Sequence, residues 1–202
     1  MFVLPENLPV ELTPLAFLVG TWEGTGVISY THRRDANNEP IKYEFSQRVE
    51  FVHNGENYLT YQSAAKLLDE SGTILPSELG YWRVSRPREE FDYGPGLLPG
   101  KGETKFTTHE SMEPFRTKEG AFNLEVSTIH PGGVAELYNG WVKQARIELA
   151  SAHGVAFEGA KTYRHSTRIY GLVEGALLWA WDIALPGQEL KSHASARLER
   201  VS

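Results

Sequence analysis

Seven histidines are the candidates for metal ligation, or for base catalysis near neutral pH, in a 202-residue chain that contains no cysteine. Without thiols there can be no disulfide, thiolate nucleophile, iron–sulfur cluster, thiolate-ligated haem or cysteine zinc site. The histidines do not stand in zinc-site spacing, because no H-x-H or H-x-x-x-H pair occurs. Ser151 and His153 read as part of a turn with no carboxylate beside them, and no G-x-S-x-G elbow is present, so a hydrolase triad is not indicated. Gly24-Thr25-Gly26 has the look of a nucleotide loop, but no helix follows to supply the N-terminus that cradles phosphate. His53 and His130 fall in turns, where structural roles are expected.

The elements that must position such residues are strands. Nineteen glycines, eleven prolines and 23 aromatics (nine Phe, nine Tyr, five Trp) favour a β protein rich in turns. Leu18–Tyr30 mixes β-branched and aromatic residues with three glycines and reads as a strand that bends. Thr31–Pro40 is polar and reads as a loop. Ile41, Tyr43 and Phe45 then alternate with polar residues, and Val49 and Phe51 keep the parity. Asn54-Gly55 signals a hairpin before the return strand Leu59–Leu67. Further strands are expected at Glu78–Ser85, Phe122–Ile129, Val134–Val142, Ala145–Ala150, Val155–Thr162, Thr167–Val173, Ala176–Ile183 and Glu189–Val201. Only Pro14–Val19 looks helical. Residues 86–120 hold four prolines and five glycines without periodicity, so they are expected to be mobile or to fold over the surface.

Short strands joined by close turns predict an all-β, closed antiparallel up-and-down barrel of about ten strands, since closure removes exposed edges. One domain over residues 1–202 is expected, with a loop insertion at about 86–120. Net charge is −6, which argues against a nucleic-acid or anionic-membrane partner. No apolar run approaches the ~18–20 residues of a membrane span. The start, MFVLPENLPVEL, lacks a basic region and carries two prolines, unlike a signal peptide. A cytoplasmic location is the expectation, together with a small-molecule ligand and, as one option, a homodimer. Trp22 on the first strand is expected to plug the narrow end of the barrel, with Arg197 or Arg200 lying across its ring.

Phe17–Gly26 (FLVGTWEGTG) contains Gly20-x-Trp22-x-Gly24-x-Gly26 and resembles the G-x-W-x-G-x-G signature of the nitrobindin family. Those are haem-binding barrels of the lipocalin and fatty-acid-binding-protein shape. Val49–Tyr61, Arg168–Ala184 and Pro186–Val201 agree with it, and the resemblance covers roughly Pro14–Arg86 and Ala121–Val201. It implies that His193, in Glu189–Leu198 (ELKSHASARL), is the axial ligand of haem iron. It also implies haem b, reversible nitric-oxide binding and isomerisation of peroxynitrite to nitrate, with iron as Lewis acid and no protein general base. One departure stands out. The family continues to a Y-P-T-I loop whose Thr contacts haem, whereas this chain reads Tyr30-Thr31-His32-Arg33, placing His32 where that Thr would be. In its basic loop His32 is either solvated or in contact with haem or its propionates.

Strand parity pulls against the assignment of His193. Alternation groups it with Ser195, Arg197 and Glu199 and turns it outward, while Ala194, Ala196 and Leu198 face the core. A bulge, or a site at the barrel mouth, would reconcile the two. The alternative function is the same barrel carrying a fatty acid or other apolar ligand without haem.

Overall fold

In a computed structural model the chain forms a closed barrel of ten strands. The structure describes residues 5–202, apart from the side chains of residues 31–33. The strands are β1 (Gly20–Arg34), β2 (Pro40–Val52), β3 (Leu59–Leu67), β4 (Ile74–Val84), β5 (Phe122–His130), β6 (Val134–Lys143), β7 (Arg146–Ala156), β8 (His165–Val173), β9 (Ala176–Ala184) and β10 (Lys191–Arg200). Each pairs antiparallel with its sequence neighbours, and β1 closes the ring against β10. The all-β, up-and-down expectation therefore holds. Among the described residues no helix is long and apolar enough to cross a membrane.

Closure depends on β1, which pairs with β2 along one edge and with β10 along the other. Its glycines allow the close approach. A Cβ on Gly24 would lie 2.1 Å from the Arg197 carbonyl oxygen, and one on Gly26 would lie 2.3 Å from that of Ser195. Alternation fills the interior: Phe45, Gln47, Val49 and Phe51 of β2 are buried, as are Ala194, Ala196 and Leu198 of β10. At the β8–β9 turn Glu174 and Gly175 both have positive φ, the geometry a two-residue hairpin needs.

Four sequence readings change. β1 runs on to Arg34, so Thr31–Arg34 is strand rather than loop. Val155–Thr162 is not a separate strand: Val155 and Ala156 end β7, and the rest connects to β8. His153 and Gly154, expected in a turn, lie within β7 opposite Leu137 and Glu136. The helical turn before β1 is a longer 3-10 helix, Val10–Leu18, and a further helical turn, α1 (His109–Met112), lies between β4 and β5.

One end of the barrel is capped by that 3-10 helix and by residues between β4 and β5. Trp22 is fully buried there, its indole N–H donating to the Leu18 carbonyl at 2.7 Å. Arg200, not Arg197, lies over its ring at 4.1 Å and donates to the Phe17 carbonyl. Arg197 faces outward against Glu199. Arg86 is buried, bonded to Glu11 at 2.6 Å and to Asp92 at 2.7 and 2.8 Å. Its guanidinium lies between the rings of Phe91 and Phe106. Phe106 and Met112 join the core, so side chains from the aperiodic segment are packed into it.

Candidate functional site

The other end is open. There the barrel holds a cavity of about 520 Å³, bounded by the end of β1, the start of β10, the β5–β6 turn and the β7–β8 connection. Much of its lining is apolar and aromatic: Ile28, Phe45, Val49, Leu177, Trp179, Trp181 and Ala194. Trp179 is held in place because its N–H donates to the Gln47 side-chain oxygen at 2.8 Å, while the Gln47 amide donates to the Ser63 hydroxyl at 2.8 Å.

His193 lines this cavity, and the reason is a bulge. In the β9–β10 ladder Ser192 pairs with Asp182, but Ala194 pairs with Trp181, leaving His193 as the extra residue. An extra residue breaks alternation, so the ring that parity would send outward turns in while Ala194 stays buried. Nδ1 of His193 lies 3.1 Å from the Ser29 carbonyl oxygen. A carbonyl only accepts, so Nδ1 carries the proton and the lone pair belongs to Nε2, the tautomer a metal ligand needs. The ring also packs perpendicular to Trp181, at 5.2 Å between centroids and 82°.

The same cavity is bordered by a charged cluster drawn from distant strands, with Arg168 level with Trp181 in the β8–β9 ladder. Arg168 donates to both oxygens of Glu78, at 2.8 and 2.5 Å, and Tyr61 donates to the same carboxylate at 2.8 Å. Burial alone would raise the Glu78 pKa; the charge and hydrogen bonds of Arg168, helped by His130 and Tyr61, outweigh it and hold the carboxyl at about 2. Glu136 beside it accepts from Tyr138 at 3.0 Å, from Ser166 at 3.3 Å and from Tyr163, and contacts His130 at 3.3 Å. Burial opposes the charge on Glu136 as well, yet its partners, His130 and Tyr163 foremost, keep it below the ordinary carboxylate range. The Arg168 guanidinium lies 4.3 Å over the Trp181 ring.

Of the sequence candidates, His193 is thus in the cavity wall. His32 belongs to β1, but its side chain lies outside the described residues. Gly20, Trp22, Gly24 and Gly26 shape and plug the barrel and do not line the cavity. His130, expected to be structural at a turn, ends β5 and lines the cavity, stacked on Trp181 at 6.3 Å and 14°. Sequence reading missed Glu78, Arg168, Tyr163 and the positioning of Trp181. The one available signal was a charge on an apolar face: Arg168 shares inward parity with Tyr170, and Glu78 with Gly80 and Trp82. Ser151 does meet a histidine, but it is His165, at 2.8 Å, and its oxygen accepts the Ser166 N–H where the β7–β8 ladder ends, a structural arrangement.

Residues 11–200 match the family described as THAP4-like, heme-binding beta-barrel domain. The chain belongs to this family, the nitrobindins. It is similar to a protein of Leifsonia xyli subsp. xyli named peroxynitrite isomerase, 52% identical with 100% of both chains covered. It also resembles one of the same name from Clavibacter michiganensis subsp. michiganensis, 47% identical over 100% of both. In fold it matches the crystal structure of Rv2717c from M. tuberculosis, with TM-score 0.65 and 24% identity over 99% of this chain and 100% of that one.

The cavity fits the cofactor of this nitrobindin family. A flat apolar macrocycle needs aromatic and aliphatic walls, and its iron needs an imidazole whose second nitrogen is already bonded. His193, Trp179, Trp181, Phe45 and Ile28 supply these, and Lys161 at the rim offers a cation for propionates. Among the described residues no group of three or more His, Asp or Glu could hold a bare metal ion.

Proposed function

We propose that this nitrobindin holds ferric haem b through His193, binds nitric oxide there and isomerises peroxynitrite to nitrate. The observation that carries the reading is the bulge that turns His193 into an apolar cavity with its Nδ1–H committed to the Ser29 carbonyl. Family membership and the names of the relatives support it. When bound, ferric haem supplies a Lewis-acid iron for the peroxynitrite oxygen. The chain does the rest. A neutral carbonyl partner leaves the His193 imidazole less electron-rich than a carboxylate would. The apolar wall excludes water from the ligand. Arg168 is neutralised by Glu78, so its guanidinium does not retain the anionic product.

That pairing also weighs against the fatty-acid carrier, because a carboxylate head group would have to displace Glu78 from Arg168. The test is a hemin titration. Wild-type protein is expected to take up hemin with a shifted Soret band and to speed peroxynitrite decay to nitrate; His193→Ala is expected to lose both while staying folded. Hemin binding by His193→Ala with an unchanged spectrum overturns the assignment and makes His32 the next ligand to test. We also place the protein in the cytoplasm and infer a homodimer. Leu79, Tyr81, Ile129 and Leu137 each expose half or more of their surface on adjoining strands β4–β6, an outward apolar patch. Sedimentation velocity would show a monomer if that inference is wrong.

A further inference from the structure

We infer that Trp181 is the positioning residue for His193, held in that role by the buried Glu78–Arg168 pair; the inference rests on the reading of His193 as the haem ligand. His193 is the extra residue of the β9–β10 ladder, so regular pairing does not fix its direction. One hydrogen bond of 3.1 Å to Ser29 restrains Nδ1 but tolerates a range of ring tilts. An iron ligand has to be held more closely than that, because a tilted imidazole loses overlap with the metal.

Tyr30 meets the imidazole edge-on at 6.2 Å, and Trp181 packs against it more closely. Trp181 is the Cα partner of Ala194, the residue beside the bulge, so its indole stands where the His193 ring emerges. The Trp181 and His193 rings meet at 82°, and a perpendicular neighbour resists rotation about the Ser29 hydrogen bond. Trp181 is itself fixed from several strands. Arg168 of β8 lies 4.3 Å over its ring, His130 of β5 is stacked nearly parallel to it, and Tyr163 packs edge-on at 5.7 Å. Arg168 cannot drift, because Glu78 of β4 grips it through two oxygens. Glu136 in turn binds both Tyr163 and His130. A chain of contacts therefore runs from the ion pair, Glu78 to Arg168 to Trp181, to the imidazole. Buried ion pairs contribute little net stability, but they fix geometry, and here the geometry fixed is that of a ligand.

Two readouts test this, one without haem. In the haem-free protein, ring 15N chemical shifts of His193 should report a single Nδ1–H tautomer. Trp181→Leu should give averaged or doubled His193 signals, and Trp181→Phe, which keeps a ring, should restore one. In hemin titrations Trp181→Leu should bind at least tenfold more weakly than wild type, with a broadened ferric electron-paramagnetic-resonance signal, and Trp181→Phe within about threefold. If Trp181→Leu does not fold, Trp181→Met removes the same ring with less loss of volume and is read the same way. A single unchanged tautomer in Trp181→Leu or Trp181→Met overturns the inference. So does an equal fall in affinity for the Leu and Phe variants, which would mark lost packing alone. If wild-type protein takes up no hemin, the haem reading fails by itself, and the haem-free signals still decide whether Trp181 orients His193.

Discussion

The two ends of the barrel use the same device for different purposes. At the capped end Arg86 lies against aromatic rings and is neutralised by Glu11 and Asp92. At the open end Arg168 lies against Trp181 and Tyr138 and is neutralised by Glu78. The difference is what stands above the ion pair. Over Arg86 the chain lays residues that enter the core, Phe106 and Met112, together with the 3-10 helix that carries Glu11. Over Arg168 the connections stay at the rim and leave a cavity, with His193 in its wall. A ring-stacked, paired guanidinium is therefore a rigid platform; whether it is covered by a plug or left beside a cavity depends on the length of chain that follows the strands.

If stability is concentrated at one end and ligand binding at the other, substitutions should separate the two. Trp22→Ala empties a fully buried site and should cost about 3–5 kcal/mol, lowering Tm, while folded protein keeps hemin affinity within a few fold. His193→Ala should do the reverse, with stability changed by less than about 1 kcal/mol and hemin binding lost. Thermal melts and hemin titrations on both variants check this; a Trp22→Ala protein that is fully folded but blind to hemin would break the separation.

Acid should act on the Glu78–Arg168 pair next. The Glu78 carboxyl is held at about 2 in the folded protein, against roughly 4.3 for a free glutamate. A depressed folded pKa gives stability that is fully present above the free value and lost as pH falls toward the folded one. Stability should therefore drop by about 3 kcal/mol between pH ~4.5 and ~2 on account of this group. Glu136 and Asp92 are shifted in the same direction and steepen the loss. Denaturant melts across that range should show Glu78→Gln less stable than wild type at neutral pH, because Arg168 is left unpaired, yet flatter in acid. A Glu78→Gln protein with the wild-type slope would mean that this ion pair is not what acid attacks.

The two ends also differed in how far the sequence revealed them. Period-2 alternation exposed the barrel, because inward residues such as Phe45, Val49 and Phe51 repeat without a break. Trp22 was legible as a plug since a bulky residue between small ones has few places to go. The direction of His193 was not legible, because a bulge is set by pairing with a second strand and leaves no mark in the alternation of its own. Arg168 and Glu78 are 90 residues apart, so nothing local couples them. Val155 and Ala156 pair with β6, but the β7–β8 ladder stops at Ala150 and Thr167, so the rest of Val155–Thr162 has no neighbouring strand to join despite its composition. Residues 86–120 lack periodicity because their packing rests on single anchors, Arg86, Phe106 and Met112, rather than on a face.

The finest comparison is between the two arginines that bracket Leu198. Both are on β10 and both were candidates to cover Trp22. Arg200 lies 4.1 Å over the indole and donates to the carbonyls of Phe17 and Val19, tying the last strand to the end of the 3-10 helix. Arg197 makes an exposed pair with Glu199, two residues along the same strand. A cation–π contact with added hydrogen bonds should be worth about 1–2 kcal/mol, whereas an exposed pair is worth ~0–1 and often nothing measurable. Arg200→Ala should thus lower Tm by a few degrees, and Arg197→Ala should leave it unchanged. Arg200→Lys separates the parts further. The charge remains, but the planar fork that reaches two carbonyls while covering a ring is lost, so this variant should fall between the other two. Equal melts for Arg200→Ala and Arg197→Ala would mean that the carbonyl contacts contribute nothing, and that Trp22 seals the capped end by burial alone.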